Sequence, residues 1–316
     1  MNAHSPLIAG SEIKRLSTLS QWRSMGWLAL DWLVIAAAIA VSEYSGSWIV
    51  YVFAILVIAG RQHGIGVLVH EAAHYRMLKN RKLNDWVVDV LAAWPMLATV
   101  ASYRRNHLAH HQNTNTEDDP DWMTKIGRAA FTFPQKMRDA ILYLAGYLVA
   151  VNTFRDLAHV LPRISKNDTS TPGYKIMRVT YFAAIIALFG VLGVIPQFIL
   201  YWIVPYFTVL FLFFHVRNVA EHFGDMDYSE ELTSSRTVVP YFWERWCFGP
   251  HNVHYHLEHH LYPSVPFYNL PELHRLLMKN EFYRGKAHLT RGYSTGLARE
   301  CFGQARREAK AAIAAE

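Results

Sequence analysis

Four apolar runs constrain this chain more than any other feature. The first covers about 25–42, with Asp31 inside it. The second covers about 48–69 and turns polar briefly at Arg61, Gln62 and His63. The third and fourth cover about 176–194 and 198–216. A helix that crosses a bilayer needs about 20 mainly apolar residues, so each run reads as a span, the first of them short on strict apolar count. Composition agrees. Only 18% of the 316 residues are charged, against about 25% in a soluble domain, and the deficit comes from these runs.

Charge sets the expected topology. The links at 42–47 and 193–197 hold no Lys or Arg, whereas Lys14, Arg15 and Arg23 precede the first span and Arg76, Lys79, Arg81 and Lys82 follow the second. Basic residues stay on the cytoplasmic side. The expectation is an all-α integral membrane protein: four transmembrane helices in two hairpins, with both termini inside and a cytoplasmic helical cap. Residues 1–24 form a cytoplasmic N-terminal segment, and 25–316 form one membrane domain whose cytoplasmic parts are 70–175 and 217–316. No small-residue cleavage site follows the first run, which therefore reads as a retained span rather than a signal peptide. Segment 83–100, broken by Asp85, Asp89 and Pro95, reads as interfacial or re-entrant, and 140–161, cut by Asn152, Arg155, Asp156 and His159, reads similarly. The net charge of +6 flanks the spans instead of forming a basic helix with interleaved aromatics, which argues against nucleic acid as a partner. Two cysteines, Cys247 and Cys301, cannot build an iron–sulfur or cysteine-based zinc site.

Histidine is the anomaly, with 17 in the chain and most of them clustered. His70 and His74 are i and i+4, one face of a helix. His107, His110 and His111 are i, i+3 and i+4, and His256, His259 and His260 repeat that spacing. Three imidazoles on one face suit neither a surface nor a core, but they suit a metal that takes their lone pairs. Imidazole binds iron, zinc and copper, and this many exceed the roughly four ligands of a single zinc ion. His63 and His215 stand at helical spacing from these groups and face either the site or a backbone carbonyl. His4, His159, His274 and His288 read as ordinary.

The order HxxxH, HxxHH, HxxHH over four spans resembles the membrane fatty acid desaturase family, which is related to membrane hydroxylases and carotenoid ketolases. Asp118-Asp119-Pro120-Asp121 after the second box and Leu261-Tyr262-Pro263 after the third are similar too. The resemblance covers about 60–277. It implies two non-haem iron ions held by His70, His74, His107, His110, His111, His222, His256, His259 and His260, with Asn218 of Asn218-Val219-Ala220-Glu221-His222 reaching the metal through water. It also implies dioxygen as co-substrate, a fatty acyl or lipid substrate drawn from the membrane, and an external donor such as ferredoxin, rubredoxin or a small haem protein. Glu71, Glu221, Glu258, His215 and Asp118, with Asp119 and Asp121, are candidates to hydrogen-bond the ligand rings, as metal-bound histidines require. Trp86, Trp94, Tyr103, Trp243 and Trp246 are candidates to line an acyl tunnel or to anchor the interface. The basic group Arg76, Lys79, Arg81, Lys82, Arg104 and Arg105 is a candidate face for an acidic donor.

Other readings stay open at this level. The same ligand set supports hydroxylation or ketolation of a lipid, hydrocarbon or carotenoid. A non-catalytic metal carrier would place its ligands inside the spans, and here they stand at span ends. His70-Glu71-Ala72-Ala73-His74 also matches the HExxH string of zinc hydrolases, which would leave six further boxed histidines unexplained.

Overall fold

The computed structural model describes residues 7–303, with side chains except at 163–167; His4 and segment 304–316 lie outside the described residues. The chain is mostly helical. In chain order the principal helices are α1 (Gln21–Ser45), α2 (Trp48–Ala73), α3 (Val100–Asn113), α4 (Met137–Leu148), α5 (Val151–Asn167), α6 (Pro172–Val191), α7 (Ile195–His222) and α8 (His256–Leu261). Among the described residues four, α1, α2, α6 and α7, are long and apolar enough to cross a membrane.

All four expected spans are present, but two outrun their apolar stretches. Helix α2 continues to Ala73 and α7 to His222, because hydropathy marks only the part of a helix that meets lipid. The polar continuation of α2 is covered by protein, every residue from Gly60 to Ala73 except Gly66 being buried, and 67% of its apolar window is buried too, against none of that of α6. Helix α2 is therefore the central post, whereas α6 has no fully buried residue and meets the rest of the protein on one side, through Tyr174 and Tyr181. Local chemistry sets the ends. Gly46 closes α1 in the left-handed conformation at φ 58°, its N–H returning to Ser42 O, a geometry glycine adopts without strain. Thr171 caps α6 through Tyr174 N, with Pro172 in the first turn. Thr99 caps α3 through Ser102 N.

Helix α7 carries two π turns, Ile199–Ile203 and Tyr206–Leu210, around Pro205. Side chains from other elements reach its carbonyls: Tyr51 bonds Leu200 O, Gln62 bonds Trp202 O and Thr153 bonds Phe207 O. The stretch 83–100 forms helix Arg81–Val88, a π turn Asp89–Ala93 and a turn through Leu97 at φ 56°. Helices α4 and α5 leave Ile141, Leu142, Leu148, Phe154 and Leu161 exposed. The all-α expectation needs one correction: strands β1 (Thr237–Val239) and β2 (Leu289–Arg291) pair in parallel, and β1 braces α8.

The polar break in α2 has a structural partner. Asp31 of α1 is fully buried and accepts from Arg61 Nη1 at 3.1 Å on one oxygen, while its other oxygen lies 2.7 Å from His251 Nε2. Glycines let the 246–251 segment come this close to α2. A Cβ on Gly60 would lie 2.7 Å from Trp246 O, and one on Gly64 would lie 2.9 Å from His251 Nε2. Removing one partner of a buried ion pair costs about 3–5 kcal/mol, whereas replacing both by apolar groups is often neutral. Asp31→Ala is therefore expected to lower the detergent melting temperature sharply, and Asp31→Ala with Arg61→Leu to recover most of the loss; an additive double variant would show that the pair is not the cause.

Candidate metal centre

Helices α2, α3, α7 and α8 bring nine imidazoles together in two groups. His70, His74, His107, His111 and His259 form one, and His110, His222, His256 and His260 form the other; within each, the ligand nitrogens lie within 4.8 Å of one another. Helical spacing explains the partition. Each i, i+4 pair (His70/His74, His107/His111, His256/His260) stays within one group, and the i+3 member of each HxxHH crosses to the other. So His110 leaves its own pair to join His256 and His260, and His259 joins His107 and His111. His74 is the residue that closes α2, just past its last turn. Its ring still meets the site, with Nε2 2.8 Å from His107 Nε2.

Nitrogen faces nitrogen throughout. Nε2 of His111 is 3.0 Å from that of His107 and 3.0 Å from that of His259. Nε2 of His256 is 2.8 Å from that of His222 and 3.0 Å from that of His260. One proton can serve only one side of each such contact, and both ring nitrogens of His70 are buried without a hydrogen-bond partner. Protonation is disfavoured as well. Burial pushes His107, His256, His259 and His260 well below the ordinary imidazole value, and it pushes His74 down to about 4 and His111 to about 3. Neutral rings with converging lone pairs fit transition-metal ions, and the donor set suits a metal centre better than any arrangement of protons does.

The outer ring nitrogens are oriented from behind. His110 Nδ1 donates to Asp119 Oδ2 at 2.7 Å, and that carboxylate is itself fixed by the N–H groups of Asn115, Asp121 and Trp122. Glu71 Oε1 stands 3.3 Å from His70 Nδ1 and Glu221 Oε1 3.3 Å from His256 Nδ1, close but without hydrogen-bond geometry. Glu71 also accepts from Phe267 N at 3.0 Å, and Glu221 accepts from Arg217 Nε at 2.6 Å. Ser234 O is 3.4 Å from His222 Nδ1, and Thr114 Oγ1 is 3.5 Å from His260 Nδ1.

Several candidates fall elsewhere. Asp118 is exposed, and Asp119 takes the role because the turn after α3 points it inward. Glu258 faces away from both groups. It bonds Thr237, His274 and Tyr283, anchoring α8 to β1, so His274 is structural rather than ordinary. His63 bonds Cys247 O, and His254, beside the third box, bonds Val238 O. His215 lies among Phe131, Tyr143 and Tyr147 on the wall of a cavity beside the centre. Asn218 lines the same cavity next to His222, but its Oδ1 accepts from Lys125 Nζ at 3.1 Å. No sequence signal marks Lys125 or Thr114. Of the five candidate aromatics, Tyr103 lines this cavity and stacks on His107; Trp94 is buried against Tyr174 and Tyr181, and Trp86, Trp243 and Trp246 are exposed.

The family model for fatty acid desaturases matches residues 46–293. The chain belongs to the fatty acid desaturase family. Curated relatives agree with that placement. The desaturase is 29% identical to the dihydrorhizobitoxine desaturase of Bradyrhizobium elkanii over 85% of this chain and 80% of that protein. It is 26% identical to the sn-1 acyl-lipid omega-3 desaturase (ferredoxin) of Synechocystis over 83% and 77%, and 24% identical to the sn-1 oleoyl-lipid 12-desaturase of Anabaena variabilis over 69% and 65%.

Partners that orient a metal-bound histidine typically account for about 10–100-fold in metal affinity. Asp119→Ala in the desaturase is expected to lose metal to a chelator at correspondingly lower concentration, measured as metal per chain by elemental mass spectrometry. Asp118→Ala is expected to behave as wild type; equal loss in both would remove Asp119 from the orienting role.

Proposed function

We propose that the desaturase removes two hydrogens from adjacent carbons of a fatty acyl or lipid chain. In this reading one dioxygen, two electrons and two protons are consumed, and two waters leave with the alkene. The nine imidazoles would hold two iron ions, with Asn218, beside His222, as a further group that would reach the metal through water. When bound, the irons supply dioxygen activation and the power to break an unactivated C–H bond. The double histidine group opening onto a partly apolar cavity carries the reading.

That cavity, about 330 Å³, is reached by His107, His110, His222 and His256. Gly66, Val69, Phe211 and Phe214 of α2 and α7 form its apolar wall, and Lys125, Arg128 and Asp156 line its polar end. An acyl segment from the bilayer fits along the apolar wall, with its carboxyl or headgroup toward the polar end. Asp119 keeps the His110 ring in one orientation, and Tyr103 holds His107 by stacking. In this reading α1 with α2 and α6 with α7 form two membrane hairpins, and both termini and the histidine cap are cytoplasmic.

Electrons come from outside the chain, and ferredoxin is the donor we favour, since the name of the Synechocystis relative includes it. Lys79, Arg81 and Lys82 are exposed and suit an acidic donor. Arg104 does not belong to that face: it binds Ala72 O, Ala73 O and Asp85, closing the end of α2.

Expression in a host lacking desaturases, with ferredoxin supplied, tests the reaction. Lipids two mass units lighter, absent with His110→Ala, are the expected products; species one oxygen heavier would make the enzyme a hydroxylase. Gly66 faces the Phe214 ring, with a Cβ there 3.4 Å from Cζ. Gly66→Leu is expected to cut turnover at least tenfold while metal content holds, and unchanged turnover would place the substrate elsewhere.

A further inference from the structure

A second cavity, about 520 Å³, lies on the opposite side of α2 from the wall that faces Phe214, between α1, α2 and the 242–252 segment. Three arginines line it, Arg23, Arg61 and Arg245, and no carboxylate does. Asp31 stands behind it, with both oxygens already engaged by Arg61 and His251. Arg23 reaches only Asn269 Oδ1, at 3.4 Å, and lies over the Tyr268 ring; Arg245 reaches Asn252 Oδ1 at 3.0 Å. Among the described residues, neither meets a carboxylate within ion-pair distance. Arg61 is 6% exposed, and its Nε has no partner.

The setting is that of a membrane boundary. At 1.5 Å rise per residue, Arg23 stands roughly 33 Å along α1 from Ser45, and Arg61 roughly 20 Å along α2 from Trp48. Against a hydrocarbon core of about 30 Å, the cavity runs from headgroup level down to the upper acyl region. Trp27, Phe242 and Trp246 on its rim are 40%, 81% and 55% exposed. The wall between them is held in a costly shape: His251 and Asn252 are consecutive non-glycine residues at φ 50° and 60°. Backbone held this way tends to accompany ligand sites. A charged side chain at membrane depth marks a functional site by default, and the Arg61 ion pair with Asp31 leaves the other two positive charges uncompensated.

We propose that this cavity binds the phosphodiester headgroup of an anionic phospholipid, with its acyl chains lying over Trp27, Phe242 and Trp246. Guanidinium forks match phosphate oxygens, and the aromatic rim matches the glycerol and upper chain. The site is separate from the metal-centre cavity, and the lipid held there is a bound component of the fold rather than the molecule that reacts.

The test uses full-length protein purified in detergent, stripped of lipid and shown to hold its metal. Phosphatidylglycerol, diacylglycerol with the same chains, or inorganic phosphate is added, and bound lipid is counted by native mass spectrometry alongside the melting temperature. Wild type is expected to retain phosphatidylglycerol at least tenfold better than diacylglycerol. Arg23→Gln with Arg245→Gln is expected to abolish that preference at unchanged metal content, while Lys79→Gln with Lys82→Gln, an equal loss of charge elsewhere, leaves it intact. Equal retention of diacylglycerol by wild type would overturn the proposal without reference to any variant. Equal loss in both double variants would reduce it to general charge attraction, and stabilisation by inorganic phosphate equal to that by phosphatidylglycerol would assign the arginines to a soluble anion instead.

Discussion

Nine imidazoles cannot crowd together for their own sake. Each neutral ring carries one donor and one acceptor nitrogen, and here the inner nitrogens of neighbouring rings lie 2.8–3.3 Å apart in a buried space. Adding protons to satisfy every contact would create adjacent buried cations, which burial already opposes. Leaving them off strands lone pairs. Ligation removes the conflict at once, so the rest of the molecule can be understood as a frame that brings unstable neighbours to fixed positions. Asp119 pins His110, the Glu258 knot with Thr237, His274 and Tyr283 pins α8, and Arg104 pins the end of α2 from which His70 and His74 project.

The crossing of His110 and His259 has a mechanical consequence. If each box served one metal, the two sites could move independently with their helices. Because α3 and α8 each contribute to both groups, a shift of either helix disturbs both. The separation between the two centres is therefore set by the rise between adjacent positions on two short helices, which is stiffer than any loop. Chemistry that needs two metal ions at constant separation is served by this interleaving, and the i, i+3, i+4 spacing provides it within five residues of each helix.

Much of this frame is legible in the amino-acid sequence alone. Apolar length finds the four spans, and the boxes name eight of the nine histidines that converge, the ninth, His222, coming only from the family-like Asn218-x-x-x-His222 spacing. What escapes depends on contacts between residues distant in sequence. Asp118 and Asp119 are equivalent as neighbours in an acidic run, and only the turn after α3 decides which one points at His110. Glu258 sits beside two boxed histidines, yet a helix turns about 100° per residue, and that rotation delivers it to β1 instead. Strands β1 and β2 are three residues each and pair across about 50 positions, so neither carries a periodic signal.

Asp31 and Arg61 are visible as blemishes in apolar runs, and the reason they are tolerated lies in α2. A span that met lipid on every side could not carry Arg61, Gln62, His63, His70 and Glu71 on one continuous helix. Helix α2 can, because α1, α7 and the 246–251 segment cover that half and supply a partner to Arg61, Gln62 and His63 in turn. The close approach at Gly60 and Gly64 is what admits the 246–251 segment. The same helix thus crosses the hydrocarbon, carries His70 and sets His74 at its end, and forms walls of two separate cavities. Its polar half is where membrane insertion and metal chemistry impose opposite demands on one sequence, and burial inside the protein is what reconciles them.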